Sequence, residues 1–418
     1  DMEAAAAGRF RSRYWEGLHD ALCAAAARTP VRWLFIRFPS PQMDLAGCIR
    51  MRDRLRAARQ DGVSFHYLEE FLMTADLRAA WKRYLRLAWT SRRLEASMRE
   101  LCRFEGSRLN FWAYMAEDWA ETFRGWRCLE RCLQQRGIDN YVKAAGPQRW
   151  FTFPLENCPW ERMLTHAAHT TPGAGGPVYG AQHSTIRPTD FRYFDDPVTF
   201  TDSACAPFQP DRICANGQGA LRQWQAAGVP QERLELVEAL RYMYLVDARK
   251  SAVPPQEGQT HHRLLVVTGF FADETADHVR LLARAVHAGL LDGWEIVVKP
   301  HPYLSVEADL RHELGAQAGR LRFADGPIAT HLVPGTVVWS SASTTVVLEA
   351  ALKKLPVMVM LPSDGFDLCP LQDVPGLLRT GSLDDVKRAL AQAAPPALPD
   401  DYLELQPELP RWRALLEL

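Results

Sequence analysis

The feature that most constrains the fold is an alternation of short apolar strands and amphipathic helices that occurs twice, once on each side of a polar linker. In the first run the pattern predicts strands at Trp150–Leu155, Val178–Gln182, Arg212–Ala215 and Leu234–Ala239, with helices at Pro159–Ala168 and Leu221–Ala227. In the second it predicts strands at Arg263–Thr268, Glu295–Lys299, Leu321–Phe323, Val337–Trp339 and Val357–Met360. Helices fall at Glu274–Ala288, Val306–Leu314 and Thr344–Lys353. The stretch Asp247–Gln259 has no periodicity and carries Pro254-Pro255 and Glu257-Gly258, so it reads as a boundary. Strands separated by helices imply parallel sheets, because a parallel neighbour needs a long crossover. The expected fold class is therefore α/β, with two Rossmann-like domains facing across a cleft. Ligands of such sheets bind at the C-terminal ends of the strands.

The front of the chain predicts a helix over residues 1–30, with Trp15, Leu18 and Leu22 at helical spacing, then a strand at Val31–Ile36. From Leu45 to about Gly137 the pattern is mostly helical and Arg-rich, so the first domain is enlarged by helices. A last helix, Pro410–Leu418, opens on a proline at a position that tolerates one. The domains are read as 1–246 and 260–400, with 401–418 returning to the first. A chain of 418 residues with 47% hydrophobic and 24% charged residues excludes disordered and fibrous classes.

The net charge of −1 is unevenly spread. Residues 1–150 hold 26 Lys and Arg against 18 Asp and Glu, a balance of +8, which leaves −9 for the rest. Arg86, Arg92 and Arg93 sit among Trp81, Leu85, Trp89 and Leu94, an amphipathic pattern with a basic face. That face suits an anionic acceptor or a membrane surface, the alternative being a solvated helix. The nine cysteines include no C-x-x-C pair and read as free thiols of a reducing compartment. No apolar run reaches the roughly 18 residues of a membrane span. The start, Asp1-Met2-Glu3, lacks a signal-peptide core. A cytoplasmic protein is expected, with peripheral contact at the inner face of the membrane left open.

Several chemistries fail on their motifs. Gly217-Gln218-Gly219 follows a strand, but Arg222 stands where a dinucleotide fingerprint needs its third glycine. There is no phosphate-loop motif and no Asp-x-Asp. His261-His262 has no nearby carboxylates and reads as a solvated turn. No metal, resident cofactor or nucleic-acid partner is expected.

Two segments of the second run carry chemistry. Lys299-Pro300-His301-Pro302 directly follows a strand, and its prolines end the strand and fix the turn. Ser340-Ser341-Ala342-Ser343-Thr344 joins a strand to a helix and is rich in hydroxyls suited to a phosphate. Glu349 lies beyond, within reach of a ribose. Three polar strand ends of the first run converge on the same rim. They are Glu156-Asn157-Cys158-Pro159-Trp160-Glu161, Gly180-Ala181-Gln182-His183-Ser184 and Glu238-Ala239-Leu240-Arg241-Tyr242. Glu161 reads as a charge at a helix N-terminus.

Taken in this order, these segments resemble bacterial surface-carbohydrate (O-antigen and capsule) biosynthesis glycosyltransferases of GT-B fold, related to polysialyltransferases and β-Kdo transferases. The resemblance spans roughly Tyr14 to Arg379. Where polysialyltransferases carry an acidic motif ending in glycine, this chain has Gln182-His183-Ser184. The resemblance implies a metal-independent glycosyltransferase that moves an ulosonic acid (Kdo, sialic acid or a relative) from a CMP-sugar donor to a surface polysaccharide or lipid-linked glycan. It implies that His301 meets the nucleotide phosphate beside Ser340, Ser341 and Ser343. Lys299, Pro302, Thr344, Glu349, Gln182 and Arg241 complete the expected donor side. Glu156 is the first choice for the base that accepts the acceptor proton, then Glu238, then His183. Arg241, Arg187 or Lys299 would pair with the donor's carboxylate. The alternatives are a GT-B transferase using a UDP- or GDP-sugar, a sugar-nucleotide epimerase, or a polyol-phosphate transferase. A catalytically silent nucleotide-sugar-binding subunit is the reading outside enzymes.

Overall fold

A computed structural model of the chain describes all residues except 1, 13, 16, 39–43, 59–61, 247–262, 362–364 and 373. The linker read at Asp247–Gln259 and the His261-His262 pair lie outside the described residues.

The first 145 residues differ most from expectation. The single helix read over residues 1–30 is two, α1 (Met2–Ala6) and α2 (Leu18–Ala25). Gly8 and Gly17 adopt φ of 74° and 81° between them, a left-handed geometry that no continuous helix holds. The strand β1 (Val31–Phe35) follows, then α3 (Leu45–Ala57). The stretch read as helical also contains a strand, β2 (Val63–Tyr67), in which Val63, Phe65 and Tyr67 alternate with Ser64 and His66. It pairs in parallel with β1, Val31 opposite Val63. Three helices then form an arm: α4 (Thr74–Leu101), α5 (Trp112–Arg124) and α6 (Trp126–Ala145). Ala80, Cys128 and Cys132 pack where α4 meets α6, and Arg136 bonds Asp76 at 2.8 Å.

The next sheet has β3 (Phe151–Leu155), β4 (Val178–Gln182), β5 (Arg212–Ala215) and β6 (Leu234–Leu236), all parallel in that spatial order. Helices α7 (Pro159–Thr170) and α8 (Gln218–Ala226) connect them. Phe151, Phe153 and Ile213 pack against Ile138, Val142, Leu164 and Trp224.

The second large sheet has six parallel strands. They are β7 (Arg263–Val267), β8 (Glu295–Lys299), β9 (Leu321–Phe323), β10 (Thr336–Ser341), β11 (Val357–Met360) and β12 (Leu378–Thr380). The connecting helices are α9 (Ala272–His287), α10 (Glu307–Leu314), α11 (Val346–Leu352) and α12 (Leu383–Ala391). Every residue of β10 and β11 is buried, because helices cover both faces of the sheet. This burial explains the unbroken Val runs of the sequence. The fold class is thus α/β with two large parallel, Rossmann-like sheets.

The last helix, α13 (Pro410–Leu416), packs on the first of these sheets. Trp412, 1% exposed, lies among Trp15, Leu18, Val31, Tyr179, Val237 and Leu240. Among the described residues, no helix is long and apolar enough to cross a membrane.

Candidate functional site

The spatial order β12-β11-β10-β7-β8-β9 locates a binding crevice from topology alone. From β7 the chain builds outward through β8 and β9, then returns to the other side of β7 for β10, β11 and β12. The connections therefore diverge between β7 and β10, and ligands of open parallel sheets enter at such a point. The residues past the ends of these strands are Thr268-Gly269 and Ala342-Ser343-Thr344, with Pro300-His301 past neighbouring β8. Gly269 is required by close approach. A Cβ there would come within 2.5 Å of Ser343 Oγ and 2.6 Å of a Glu274 oxygen.

On the other sheet, strand register makes the key contact. Leu155 of β3 lies opposite Gln182 of β4 at the end of the ladder, so the residues that follow leave the sheet side by side. Those residues are Glu156 and His183, and Glu156 Oε1 lies 2.7 Å from His183 Nε2. Glu156 is half-exposed and His183 is buried. The hydrogen bond from His183 lowers the Glu156 pKa against the opposing effect of burial, and the charges of His183, Arg192 and Arg241 add to the lowering. The other imidazole nitrogen, Nδ1, is buried without a partner. Of the pair, Glu156 is the one open to solvent, and His183 holds its carboxylate in place. The Tyr14 ring meets the His183 ring edge-on at 4.8 Å between centroids, and the Arg241 guanidinium lies 5.7 Å from the Tyr14 ring.

The turn carrying Glu156 is fixed by Glu161. Its carboxylate accepts the backbone N–H groups of Glu156, Asn157 and Cys158, each at 3.0 Å. Asn157 has a φ of 59°, a left-handed conformation that these bonds support. Burial pushes the Glu161 pKa up to about 7, with the three N–H groups pulling the other way. Glu161 is therefore more than a charge at a helix N-terminus.

The two sheets meet at this place. Arg187, five residues past β4, donates Nη2–H to the Ser343 carbonyl at 2.6 Å, and Thr189 donates its hydroxyl to the Asp367 carbonyl at 2.7 Å. Burial lowers the Arg187 pKa, and its Nε has no partner.

The hydroxyl cluster after β10 is wired inward, which corrects the expectation of a hydroxyl cradle. Ser340 Oγ bonds Thr344 Oγ1 at 2.7 Å, and Ser341 Oγ lies 3.0 Å from His278 Nδ1. Ser343 donates both its N–H and its hydroxyl to Glu274. All three serines are buried. Burial takes the His278 pKa down to about 3, so His278 is neutral, and raises that of Glu274. Glu274 and His278 went unread in the sequence. Their only trace there is a one-turn spacing at the start of the helix after β7.

His301 lies on the rim. Its Nδ1 accepts the Tyr303 N–H at 3.3 Å, and Phe270 and Tyr303 flank the ring. Burial lowers its pKa. With Nδ1 accepting, the neutral ring carries its proton on Nε2 and presents a donor. Pro302 follows in the same turn. Glu349 is buried and bonded by Tyr244, and burial raises its pKa. Its Oε2 is covered by neighbouring atoms and has no partner.

Three expected residues serve elsewhere. Glu238 accepts the N–H groups of Arg411 at 2.9 Å and Trp412 at 3.1 Å, so it caps α13 rather than acting as a base. Gln182 accepts the Asn216 N–H and donates to the Ser184 carbonyl, tying β4 to β5 rather than holding a donor. Lys299 donates to the Ala324 carbonyl at 3.2 Å, not into the crevice. Arg86, Arg92 and Arg93 are exposed on α4, and the Arg93 guanidinium lies 4.6 Å over the Trp89 ring. Among the described residues, no group of three or more His, Cys, Asp and Glu side chains is placed to hold a metal ion.

No protein-family model matches the chain, and no curated protein matches it by sequence. Solved structures match it at low identity. UDP-GlcNAc 2-epimerase of Methanocaldococcus jannaschii, in complex with UDP-GlcNAc and UDP, is 10% identical, over 69% of this chain and 82% of its own, with a TM-score of 0.44. HepE of Anabaena, in complex with UDP, is 14% identical, over 62% and 74%, with a TM-score of 0.40. TarM is 10% identical, over 62% and 51%, with a TM-score of 0.38.

Proposed function

We propose that the chain is a nucleotide-sugar-dependent glycosyltransferase of GT-B type, with residues 1–246 on the acceptor side and 260–400 on the donor side. The observation that carries this reading is the Glu156–His183 pair, set on paired strand ends beside the Arg187–Ser343 link to the opposite crevice. Glu156 takes the proton of an acceptor hydroxyl as its oxygen attacks the anomeric carbon of the donor. The bond to the nucleotide breaks, and its electron pair leaves with the phosphate oxygen. His301 Nε2–H and the backbone N–H groups past β7 meet that charge.

For the donor, the geometry favours the UDP- or GDP-sugar alternative over a CMP-linked ulosonic acid. Of three cations expected to meet an ulosonic carboxylate, Arg187 and Lys299 are bonded to backbone carbonyls. The third, Arg241, lies near two carboxylates, Glu156 and Glu349, which offset its charge. A neutral sugar fits this setting better. On the acceptor side, α4 exposes Leu77, Trp81, Leu85 and Trp89 at one-turn intervals, bordered by Arg86, Arg92 and Arg93. That combination suits an anionic membrane surface and hence a membrane-anchored acceptor.

The test is thermal unfolding with CMP, UDP, GDP, ADP and TDP. A nucleotide at 100 times its Kd stabilises by about 2.7 kcal/mol. UDP or GDP should stabilise the protein, and His301→Ala should remove the effect. Stabilisation by CMP alone would reverse the donor assignment. Stabilisation by none of the five would end the nucleotide-sugar reading.

A further inference from the structure

A cavity that shares no wall residue with the turns after β7, β8 and β10 borders the Glu156–His183 pair through Tyr14. It measures about 590 Å³, opens to solvent on one side, and is lined by Phe10, Ser12, Tyr14 and Trp15, by residues around β1, and by α6, β3 and the start of α7. Its walls are mostly aromatic, with Phe10, Trp15, Trp33, Phe35 and Trp150 among them. It runs up to the reaction centre. Tyr14 is a wall residue and also meets the His183 ring, and Pro154, another wall residue, stands two positions before Glu156.

The polar wall residues identify the class of occupant. Arg32 donates to the Ala145 carbonyl, and Arg149 to Thr29 Oγ1 and Glu417. Gln148 donates to the carbonyls of Ala145, Gly146 and Pro147, and Ser12 Oγ accepts the Tyr14 N–H. Trp33 Nε1, Trp150 Nε1 and Thr152 Oγ1 are covered by neighbouring atoms, and the wall as a whole is predominantly apolar. A polyhydroxylated ring placed here would set most of its hydroxyls against apolar wall, which is costly. A hydrocarbon chain loses nothing. No wall residue is acidic, so an anionic head group at the mouth meets no repulsion from the walls.

We propose that this cavity seats the hydrocarbon chain of a lipid-linked acceptor and so delivers the acceptor's polar end to Glu156. The inference rests on the transferase reading for the role of Glu156. The existence of the chain site can be tested without it.

The probes are glucose and hexyl, octyl and decyl β-glucosides, titrated below their micelle concentrations, with farnesyl phosphate as the isoprenoid arm. Each methylene buried should tighten binding about fourfold. Glucose alone should show no measurable binding to this cavity. The stronger arm, alkyl or farnesyl, names the chain type, and either upholds the proposal. Thr152→Phe and Ile36→Trp each narrow the cavity and should abolish the chain-length dependence while keeping the nucleotide response, which also shows that the variant is folded. Two variants guard against one failing to fold. Dependence that survives in a folded variant would place the chain elsewhere, on the exposed face of α4, and overturn the proposal. Binding that ignores chain length in the parent protein would do the same. Loss of the nucleotide response in the parent protein would instead refute the donor reading and leave the cavity result standing.

Discussion

Glu238 and Glu156 are both carboxylates just past strands of one sheet, and the structure predicts opposite consequences of removing them. Glu238 is 1% exposed and holds the first turn of α13 through the N–H groups of Arg411 and Trp412, while its own carbonyl accepts Trp412 Nε1–H at 2.9 Å. Glu238→Ala leaves the buried Trp412 N–H unpaired, at about 1–3 kcal/mol. The Arg411 N–H is on an exposed residue and regains water, so its loss is that of a helix cap, about 1 kcal/mol. The expected total is about 2–4 kcal/mol, or roughly 5–15 °C in Tm for a unit of 150–250 residues. Glu238→Gln keeps one acceptor and should lose about half as much. Thermal unfolding gives the size, and hydrogen exchange should show the loss concentrated at residues 409–416. Turnover per folded molecule should stay within about threefold of the parent. An unchanged Tm with turnover down a hundredfold would refute the reasoning and restore Glu238 as a base.

The mirror case is Glu156→Gln, which keeps an acceptor for His183 and should lower Tm by only a few degrees, with the nucleotide response intact, while lowering turnover about a hundred- to ten-thousandfold, the scale of a lost general base. His183 holds the Glu156 carboxyl below the usual range, so activity should fall only as pH drops below about 4.5, the ordinary Glu value. In His183→Ala that acidic limb should move to higher pH, and a limb that stays put would count against the pair. Gly269→Ala forces a Cβ against Ser343 and Glu274, so it should destabilise by about 1–3 kcal/mol and weaken nucleotide binding; unchanged binding would move the crevice away from β7. Replacing Arg86, Arg92 and Arg93 with Gln should weaken binding to vesicles containing anionic lipid by about a hundredfold, at roughly 1 kcal/mol per charge. Equal binding to neutral vesicles would show that the α4 face serves another partner, with a second copy of the chain visible as a dimer in solution.

The central strands of the second sheet were legible in the sequence because they are buried on both faces. Leu264-Leu265-Val266-Val267 and Val357-Met358-Val359-Met360 are continuous apolar runs bounded by polar or turn residues, as strands covered on both faces require. β2 was not legible. Its three apolar residues alternate for only five positions inside an Arg-rich stretch, and its partner lies 32 residues earlier. Glu156 and His183 could be picked out as polar strand ends, but their contact follows from the Leu155–Gln182 register, which no local pattern encodes. The serines after β10 misled for a physical reason. A hydroxyl suited to a phosphate is equally suited to Glu274 or His278, and only the path of α9 decides between them. Glu238 looked like Glu156 until the last helix supplied the N–H groups it caps.

Trp412 also sets a schedule for folding during synthesis. It fills a core whose other large members include Trp15, Leu18, Tyr179, Val237 and Leu240, so that core stays open until roughly 170 residues after Leu240 have been added. At about 5–20 residues per second, the wait is about ten to thirty seconds. Throughout it, the nascent first half shows the ribosome and its chaperones an apolar surface that only the arriving helix can cover. A frameshift just upstream of the Trp412 codon would therefore damage a core whose other members are translated well before it.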